Sequence, residues 1–115
     1  MKYVEFETLV GQVITKVSDN SDSITFETES GKTYRMFHDQ DCCESVGVED
    51  IDGDLQDLVG QEVLVAETRT KDDEEDDERA MWTFYTIRTV KTSLTIRWYG
   101  SSNGYYAVDV EFAEV

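Results

Sequence analysis

Residues 81–99 of the chain read MWTFYTIRTVKTSLTIRWY and decide its fold class. Residues 81–90 are rich in aromatic and β-branched side chains, which pack well on a pleated, half-buried sheet. A turn at residues 91–93 connects this run to a second one at residues 94–99. Two such runs joined by a short turn predict a pair of neighbouring antiparallel strands.

Shorter strand patterns lie on both sides of this pair. They cover residues 12–17, 23–28, 33–38, 46–51, 61–68 and 105–112. In the first of them, alternation predicts Val13, Thr15 and Val17 on one face and Ile14 on the other. Asn103-Gly104 is typical of a tight turn, so the last pattern is expected to return beside the strand that precedes it.

Two short helices are predicted at residues 4–10 and 54–60, each ended by a glycine. The glycines lie in matching tetrapeptides, Leu9-Val10-Gly11-Gln12 and Leu58-Val59-Gly60-Gln61. These matches are too short to indicate a duplication. The sequence therefore predicts a mainly β (β-rich α+β) fold with about seven mostly antiparallel strands in a curved sheet, sandwich or open barrel.

The length of 115 residues suits a single domain that spans residues 1–115. No apolar run approaches the roughly 20 residues that cross a bilayer, and the N-terminus lacks the apolar centre of a signal peptide. We therefore expect a cytoplasmic protein. Cys42 and Cys43 are adjacent, and adjacent cysteines rarely pair, so both are expected to be reduced thiols.

The charge of the chain is strongly negative, with 26 acidic residues against 10 basic ones and a net charge of −16. Seven consecutive acids at residues 72–78 predict a mobile acidic loop over residues 70–79, because like charges repel one another. A field of this sign disfavours direct binding to nucleic acid or anionic lipid. It favours either simple solubility or a basic protein partner.

Sequence motifs for catalysis or metal binding are weak. His38, Cys42 and Cys43 bring the only histidine and both cysteines together, but a zinc site usually needs a second, separated ligand pair. The acids around Gly53 lack the register of a calcium loop, so helix capping by Asp52 or Asp54 is the better interpretation. We find no catalytic or cofactor motif, and the sequence predicts a protein that is not an enzyme and holds neither metal nor cofactor.

A candidate ligand-binding site combines rings, a guanidinium and polar groups near Asn103-Gly104. Rings stack on a base or ribose, arginine holds phosphate as a fork, and amide or hydroxyl groups recognise polar edges. This mixture predicts a small, polar, ring-containing ligand; the alternative is that Trp98 and one tyrosine fill the core. The predicted ligand-binding residues are Arg97, Trp98, Tyr99, Ser102, Asn103, Tyr105 and Tyr106, with His38 and Asp39 from the earlier loop.

Four strings in the chain carry a family resemblance. They are HDQDCCESV at residues 38–46, DIDGDL at 50–55, WTFY at 82–85 and TIRWYGSSNGYY at 95–106. With these strings, the chain from Leu9 onward resembles a family of small bacteriophage proteins whose domain has no assigned function. The resemblance implies a phage origin and a location in the cytoplasm of the infected host bacterium, and it implies no activity.

The chain departs from that family pattern at two places, Ala107, where we expect a serine, and residues 92–93, where we expect a glycine. Two functions are predicted. The first is a non-enzymatic phage accessory or anti-defence protein that sequesters a small nucleotide-type signalling molecule, with a homo-oligomer as its expected form. The alternative is an acidic inhibitor that imitates nucleic acid and binds a host defence or regulatory protein.

Overall fold

The structure is a computed structural model that describes residues 1–20, 22–73 and 79–115. In chain order its strands are β1 (Lys2–Tyr3), β2 (Ile14–Asp19), β3 (Ser23–Thr28), β4 (Thr33–Phe37), β5 (Ser45–Asp52), β6 (Val65–Asp72), β7 (Arg79–Arg88), β8 (Ser93–Ser102) and β9 (Glu111–Glu114). Two 3-10 turns, Phe6–Leu9 and Leu55–Leu58, precede β2 and β6. Within the described ranges no helix is long and apolar enough to cross a membrane.

The strands form two antiparallel sheets, one with the order β1-β9-β4-β3-β2 and the other with the order β5-β8-β7-β6. The strands predicted at residues 12–17, 23–28 and 33–38 correspond to β2, β3 and β4, which form a meander. The predicted pair within residues 81–99 corresponds to β7 and β8. The mainly β class is confirmed, and the described strands form an open two-sheet arrangement and not a closed barrel.

The core lies between the two sheets and takes large side chains from both. Trp98 of β8 has no exposed surface, and its indole Nε1 lies 3.1 Å from the sulfur of Met36 on β4. Phe112 of β9 stacks on Tyr34 of β4, with ring centroids 5.7 Å apart. Because the contact between Trp98 and Met36 joins β8 of one sheet to β4 of the other, the packing of the sheets fixes which face of each of these strands points inward.

Strand β2, which corresponds to the pattern at residues 12–17, differs from its predicted alternation. Ile14 and Val17 are both buried, and the register of β2 against β3 shifts between Ile14 and Lys16. A bulge of this kind places one extra residue in the strand and turns the following side chains to the other face. The prediction that Val17 lies opposite Ile14 is therefore wrong.

The C-terminal strand also differs from the prediction, because only Glu111–Glu114 is a strand and it pairs with β4 and β1. Both edges of β8 are occupied, by β5 and β7. The chain therefore cannot return beside β8 after Gly104, and residues 105–110 instead connect the two sheets. The predicted acidic loop at residues 70–79 begins inside β6 and ends inside β7, and residues 74–78 lie outside the described residues.

The repeated tetrapeptides are related by an approximate two-fold axis. Gly11 N–H donates to the carbonyl of Val63 at 2.8 Å, and Gly60 N–H donates to the carbonyl of Ile14 at 2.7 Å. Gly11 and Gly60 are 49 positions apart, as are Ile14 and Val63. The same hydrogen bond thus occurs twice, with the donor and acceptor segments exchanged.

The same symmetry describes the whole topology. Each half contains a 3-10 turn, a three-stranded meander and a fourth strand, and each fourth strand joins the sheet of the other half: β5 pairs with β8, and β9 pairs with β4. Each 3-10 turn also packs on the first meander strand of the other half. The structure therefore shows an internal repeat that the four matching residues could not establish.

The two glycines on this axis provide a test of the repeat. Both have positive φ, +86° at Gly11 and +83° at Gly60, with open space where a Cβ would stand. Gly11→Ala and Gly60→Ala should each lower the free energy of unfolding by about 1–2 kcal/mol, because an L-residue is strained in this conformation. Urea denaturation measures the loss.

Gly47→Ala is the matched control. Gly47 lies in β5 without positive φ, and a Cβ there meets no atom within 4 Å. This variant should keep wild-type stability within roughly 0.5 kcal/mol. Clearly unequal losses of unfolding free energy in Gly11→Ala and Gly60→Ala would contradict the structural equivalence of these two glycines.

Candidate functional site

Strand β8 carries four of the predicted ligand-binding residues; Ser102 ends the strand, and the alternation of the strand separates the other three. Trp98 points into the core, whereas Arg97 and Tyr99 lie on the outer face of the four-stranded sheet and are partly exposed. Successive side chains of a strand point to opposite faces of the sheet. The structure therefore brings Arg97 and Tyr99 together and keeps Trp98 away from them.

Ser102 at the end of β8 and three residues of the loop after it, Asn103, Tyr105 and Tyr106, were also predicted to bind the ligand. Their contacts are mainly with one another and with the backbone of the loop. The Ser102 hydroxyl donates to the carbonyl of Tyr106 at 2.9 Å and accepts from Gly104 N–H at 3.2 Å. The Asn103 side-chain oxygen accepts from Tyr105 N–H at 3.1 Å. Tyr105 is 80% exposed, and its ring meets that of Tyr106 edge-on. The polar groups of this loop are thus used to shape the loop itself.

His38 lies in a buried ion pair and not on the outer sheet face. Its Nε2 is 2.8 Å from a carboxylate oxygen of Glu44, and its Nδ1 is 2.6 Å from the backbone carbonyl of Asp109. Both ring nitrogens are thus engaged, one by a carboxylate and the other by a backbone carbonyl. His38 therefore connects the end of β4 to the start of β9.

Glu44 completes this arrangement and is only 5% exposed. Burial by itself would raise the pKa of the Glu44 carboxyl, but hydrogen bonds from the backbone N–H groups of Asp41 and Cys42 and from the His38 ring lower it to about 2. The carboxylate is thus ionised at neutral pH. Sequence analysis missed Glu44, because an isolated glutamate beside two cysteines carries no distinguishing pattern.

Asp39 is exposed and lines an acidic cavity of about 440 Å³ that also contains Asp41, Asp109 and Glu111. The hydrogen bond between the side chains of Asp109 and Glu111 raises the pKa of Glu111, and burial adds to this shift. Burial also raises the pKa of the Tyr85 hydroxyl, with the charges of Glu111 and Asp109 as further causes. This end of the molecule is therefore negatively charged and repels anions.

The cysteines of the same loop differ from the prediction. The structure joins Cys42 and Cys43 in a disulfide, in contrast to the expected reduced thiols, and the chain bends at both residues. In the part of the chain that the structure describes, no group of three or more His, Cys, Asp or Glu side chains is arranged to hold a metal ion.

Three aromatic rings cluster on the outer face of the four-stranded sheet. Trp82 of β7 lies opposite Tyr99 of β8, with ring centroids 4.8 Å apart. Phe84, two residues along β7, is parallel to Trp82 within 5° at 6.0 Å. All three rings are partly exposed. Together they form an apolar stripe along the middle of the face, which we call the aromatic stripe.

Charged side chains border the aromatic stripe on both sides. Asp50 of β5 is paired with Arg97 of β8, and Arg69 of β6 is paired with Phe84 of β7. The guanidinium of Arg69 lies 5.3 Å from the centroid of the Phe84 ring, which is a cation–π contact. At the paired outward positions of the described strands, the charged residues are the cations Arg69, Lys71, Arg88 and Arg97 and the acids Asp50, Asp52 and Glu67. At these paired positions the charges thus nearly balance, in a chain whose net charge is −16.

Arg97 is held by acids of the neighbouring strand. One guanidinium nitrogen lies 3.0 Å from Asp50 and another lies 3.8 Å from Asp52. The hydrogen bond that Arg97 donates to Asp50, together with the negative charge of Asp50, raises the pKa of Arg97. These acids partly neutralise Arg97 toward an incoming anion, so the free positive charge of the face lies on the β6 side of the aromatic stripe.

Two of the rings in this face, Trp82 and Phe84, carry a signal that sequence reasoning can detect. The alternation of residues 81–90 places Trp82 and Phe84 on one side of the strand and Tyr85 on the other. Arg69 and Lys71 were missed, because they were assigned to the predicted acidic loop or its border and not to a strand.

Comparison with known proteins identifies one family. A family model described as a domain of unknown function (DUF7448) matches residues 7–112. No curated protein and no solved structure matches the chain.

The ionised state of Glu44 predicts a pH dependence. Its pKa of about 2 in the folded protein lies below the ordinary 4.5, so the unfolded chain binds more protons between these values. The stability that Glu44 contributes is present above pH 4.5 and is lost as the pH falls toward 2. Glu44→Gln should therefore flatten the rise in unfolding free energy between pH 3 and 5, measured by urea denaturation.

Glu49→Gln is the control for this experiment, because Glu49 is exposed on the neighbouring strand β5. It removes the same charge without removing the buried ion pair, and it should keep the wild-type slope. The interpretation of Glu44 would be contradicted by parallel pH profiles for the wild type and Glu44→Gln.

Proposed function

The chain belongs to the DUF7448 family, whose description names no activity, and we propose that it is a non-enzymatic binding protein that holds a small nucleotide-type molecule on the outer face of its four-stranded sheet. The observation that carries this proposal is the aromatic stripe, in which Trp82, Phe84 and Tyr99 are partly exposed next to arginines. The site is a face and not a deep pocket.

The chemistry of this face suits a ring that carries an anionic group. Aromatic side chains on a sheet stack with nucleobases, and each such stack contributes about 1–3 kcal/mol. Arg69 and Lys71 lie beside the rings and supply positive charge for a phosphate. The near balance of charge on this face also reduces the repulsion that the rest of an acidic molecule exerts on an anion.

The biological role that we propose follows the phage resemblance. As a phage accessory or anti-defence protein, the chain would act in the cytoplasm of the infected bacterium. By binding a signalling nucleotide without converting it, it would lower the free concentration of that signal. A homo-oligomer remains part of the proposal, and sedimentation with and without the nucleotide would detect it.

Isothermal titration calorimetry tests the proposed binding. The probes are cyclic mononucleotides and dinucleotides, nucleoside diphosphates and ADP-ribose. At least one should bind the wild type, and Trp82→Ala should weaken that binding by about tenfold or more, because it removes a stacking partner. Absence of heat with every probe at high protein concentration would refute the proposal.

Tyr105→Ala is the matched control for Trp82→Ala. Tyr105 is a highly exposed ring outside the aromatic stripe, so its removal should leave affinity unchanged. Thermal unfolding of both variants separates lost binding from lost folding. If Tyr105→Ala abolished binding and Trp82→Ala did not, the ligand would lie at the loop after β8 and not on the outer face.

A second candidate function uses the acidic surface. We propose, as the alternative, that the chain imitates nucleic acid and binds a basic host defence or regulatory protein. The net charge of −16 and the acidic cavity beside Asp39 favour it. An acidic surface attracts a basic partner over long distances, and added salt screens this attraction.

Neutral substitutions in the acidic run distinguish the two functions. Replacing the acids of residues 72–78 by asparagine and glutamine removes seven negative charges. The alternative predicts weaker, less salt-dependent binding to a purified basic partner identified from host lysate, whereas nucleotide binding stays unchanged. Equal partner binding by the wild type and this variant would remove the acidic run from the alternative.

A further inference from the structure

The outer face of the four-stranded sheet is polarised from one edge to the other. Its β5 edge carries Asp50 and Asp52, and its β6 edge carries Arg69 and Lys71, with the aromatic stripe between them. We infer that the ligand is a nucleotide whose base bears an amino group, and that it lies across the strands with its base toward β5 and its phosphates toward β6. This inference rests on the proposed function.

The β5 edge favours a hydrogen-bond donor. Asp50 and Asp52 are 60% and 76% exposed, so water or a ligand can reach them although Arg97 contacts both. A carboxylate has about four acceptor sites and donates nothing when ionised. The exocyclic amino groups of adenine, cytosine and guanine are donors that match these oxygens, whereas the corresponding carbonyl of thymine or uracil is an acceptor.

Space for a base exists next to the same acids. Register places Gly47 of β5 beside Tyr99, and a Cβ built on Gly47 would meet no atom within 4 Å. The missing side chain leaves the outer surface of Tyr99 open toward β5. A base that stacks on Tyr99 therefore has room to extend its amino edge toward Asp50.

The β6 edge favours an anion. Arg69 and Lys71 have no ion-pair partner among the residues that the structure describes, in contrast to Arg97. The guanidinium of Arg69 is already positioned over the Phe84 ring, which restricts its movement before a ligand arrives. A phosphate at this edge would meet two cations, Arg69 and Lys71, beside one acid, Glu67. At the β5 edge it would face two carboxylates beside the single guanidinium of Arg97.

The distance between the two edges sets the length of the ligand. Strands β5 and β6 are separated by three strand spacings, and at about 4.8 Å for each spacing this is roughly 14 Å. A free base or an isolated phosphate reaches only one edge. A nucleoside with a chain of phosphates reaches both, and its sugar then lies over the aromatic stripe.

CDP and UDP form the matched probe pair, because their bases differ in an amino group against a carbonyl. By calorimetry, the wild type should bind CDP at least about tenfold more tightly than UDP, since a hydrogen bond to a charged group is lost and two acceptors face each other. ADP against IDP repeats the comparison with a purine.

Asp50→Asn/Asp52→Asn tests whether the acids cause this preference. An amide both donates and accepts, so the variant should bind CDP and UDP with affinities within about twofold of each other. Glu49→Gln, an exposed acid in the same strand, should keep the wild-type ratio. Arg69→Gln should weaken CDP and UDP by the same factor, because it acts on the phosphates.

The outcomes separate the two proposals. Equal affinity of the wild type for CDP and UDP, and for ADP and IDP, would overturn the orientation and leave the proposed function in place. No binding of any of the four nucleotides, nor of the wider probe set, would overturn both. A preference that persists in Asp50→Asn/Asp52→Asn, with its fold checked by circular dichroism, would also overturn the inferred role of the acids.

Discussion

The register between β7 and β8, fixed by the packing of Trp98 in the core, is the constraint on which the rest of the site depends. Trp98 is fully buried against Met36 of the opposite sheet. Because alternate residues of a strand point to opposite faces, this packing forces Arg97 and Tyr99 outward, where they meet Trp82 and Phe84. A shift of β8 by one residue would turn Arg97 into the core and separate the rings of the aromatic stripe.

Sequence patterns predicted the positions of the strands better than they predicted which strands pair. The strong alternation in residues 81–99 and the capping by Asp54, whose side chain accepts from Gln56 N–H, appear in the structure. The bulge in β2 and the departure of the chain after Gly104 were not predictable from local patterns. Both depend on which strand edges are already occupied, and that is decided by contacts distant in sequence.

The types of residue in the candidate site could be predicted from the sequence, but not which individual residues lie together. Arginine, aromatic and polar residues around residue 98 predicted a ring-binding surface, and the structure places Tyr99 and Arg97 on the same partly exposed outer face. The hydroxyl of Ser102 and the amide of Asn103 are used within their own loop. His38 is used in a buried ion pair. Residues that are close in sequence were therefore grouped into one predicted site, although the sheets place them apart. Strand pairing shows that the tryptophan of the aromatic stripe is Trp82 and not Trp98.

The internal repeat brings strands from both halves of the chain into each sheet. Each half contributes one meander, and the exchanged fourth strands bind the halves together. The acids that border the aromatic stripe lie on β5, which follows the first meander in sequence, whereas the rings lie on β7 and β8 of the second. The proposed site is thus assembled from both halves and depends on the strand exchange.

The proposed contact between the ligand ring and Trp82 is tested most directly by tryptophan fluorescence, since the chain has two tryptophans. Trp82→Phe leaves Trp98 as the single tryptophan and keeps the core intact. Titration with CDP or ADP should quench the fluorescence of the wild type to saturation and leave that of Trp82→Phe unchanged, after correction for absorption by the nucleotide. Equal saturable quenching in the wild type and Trp82→Phe, or no saturable quenching in the wild type, would contradict stacking on the outer face.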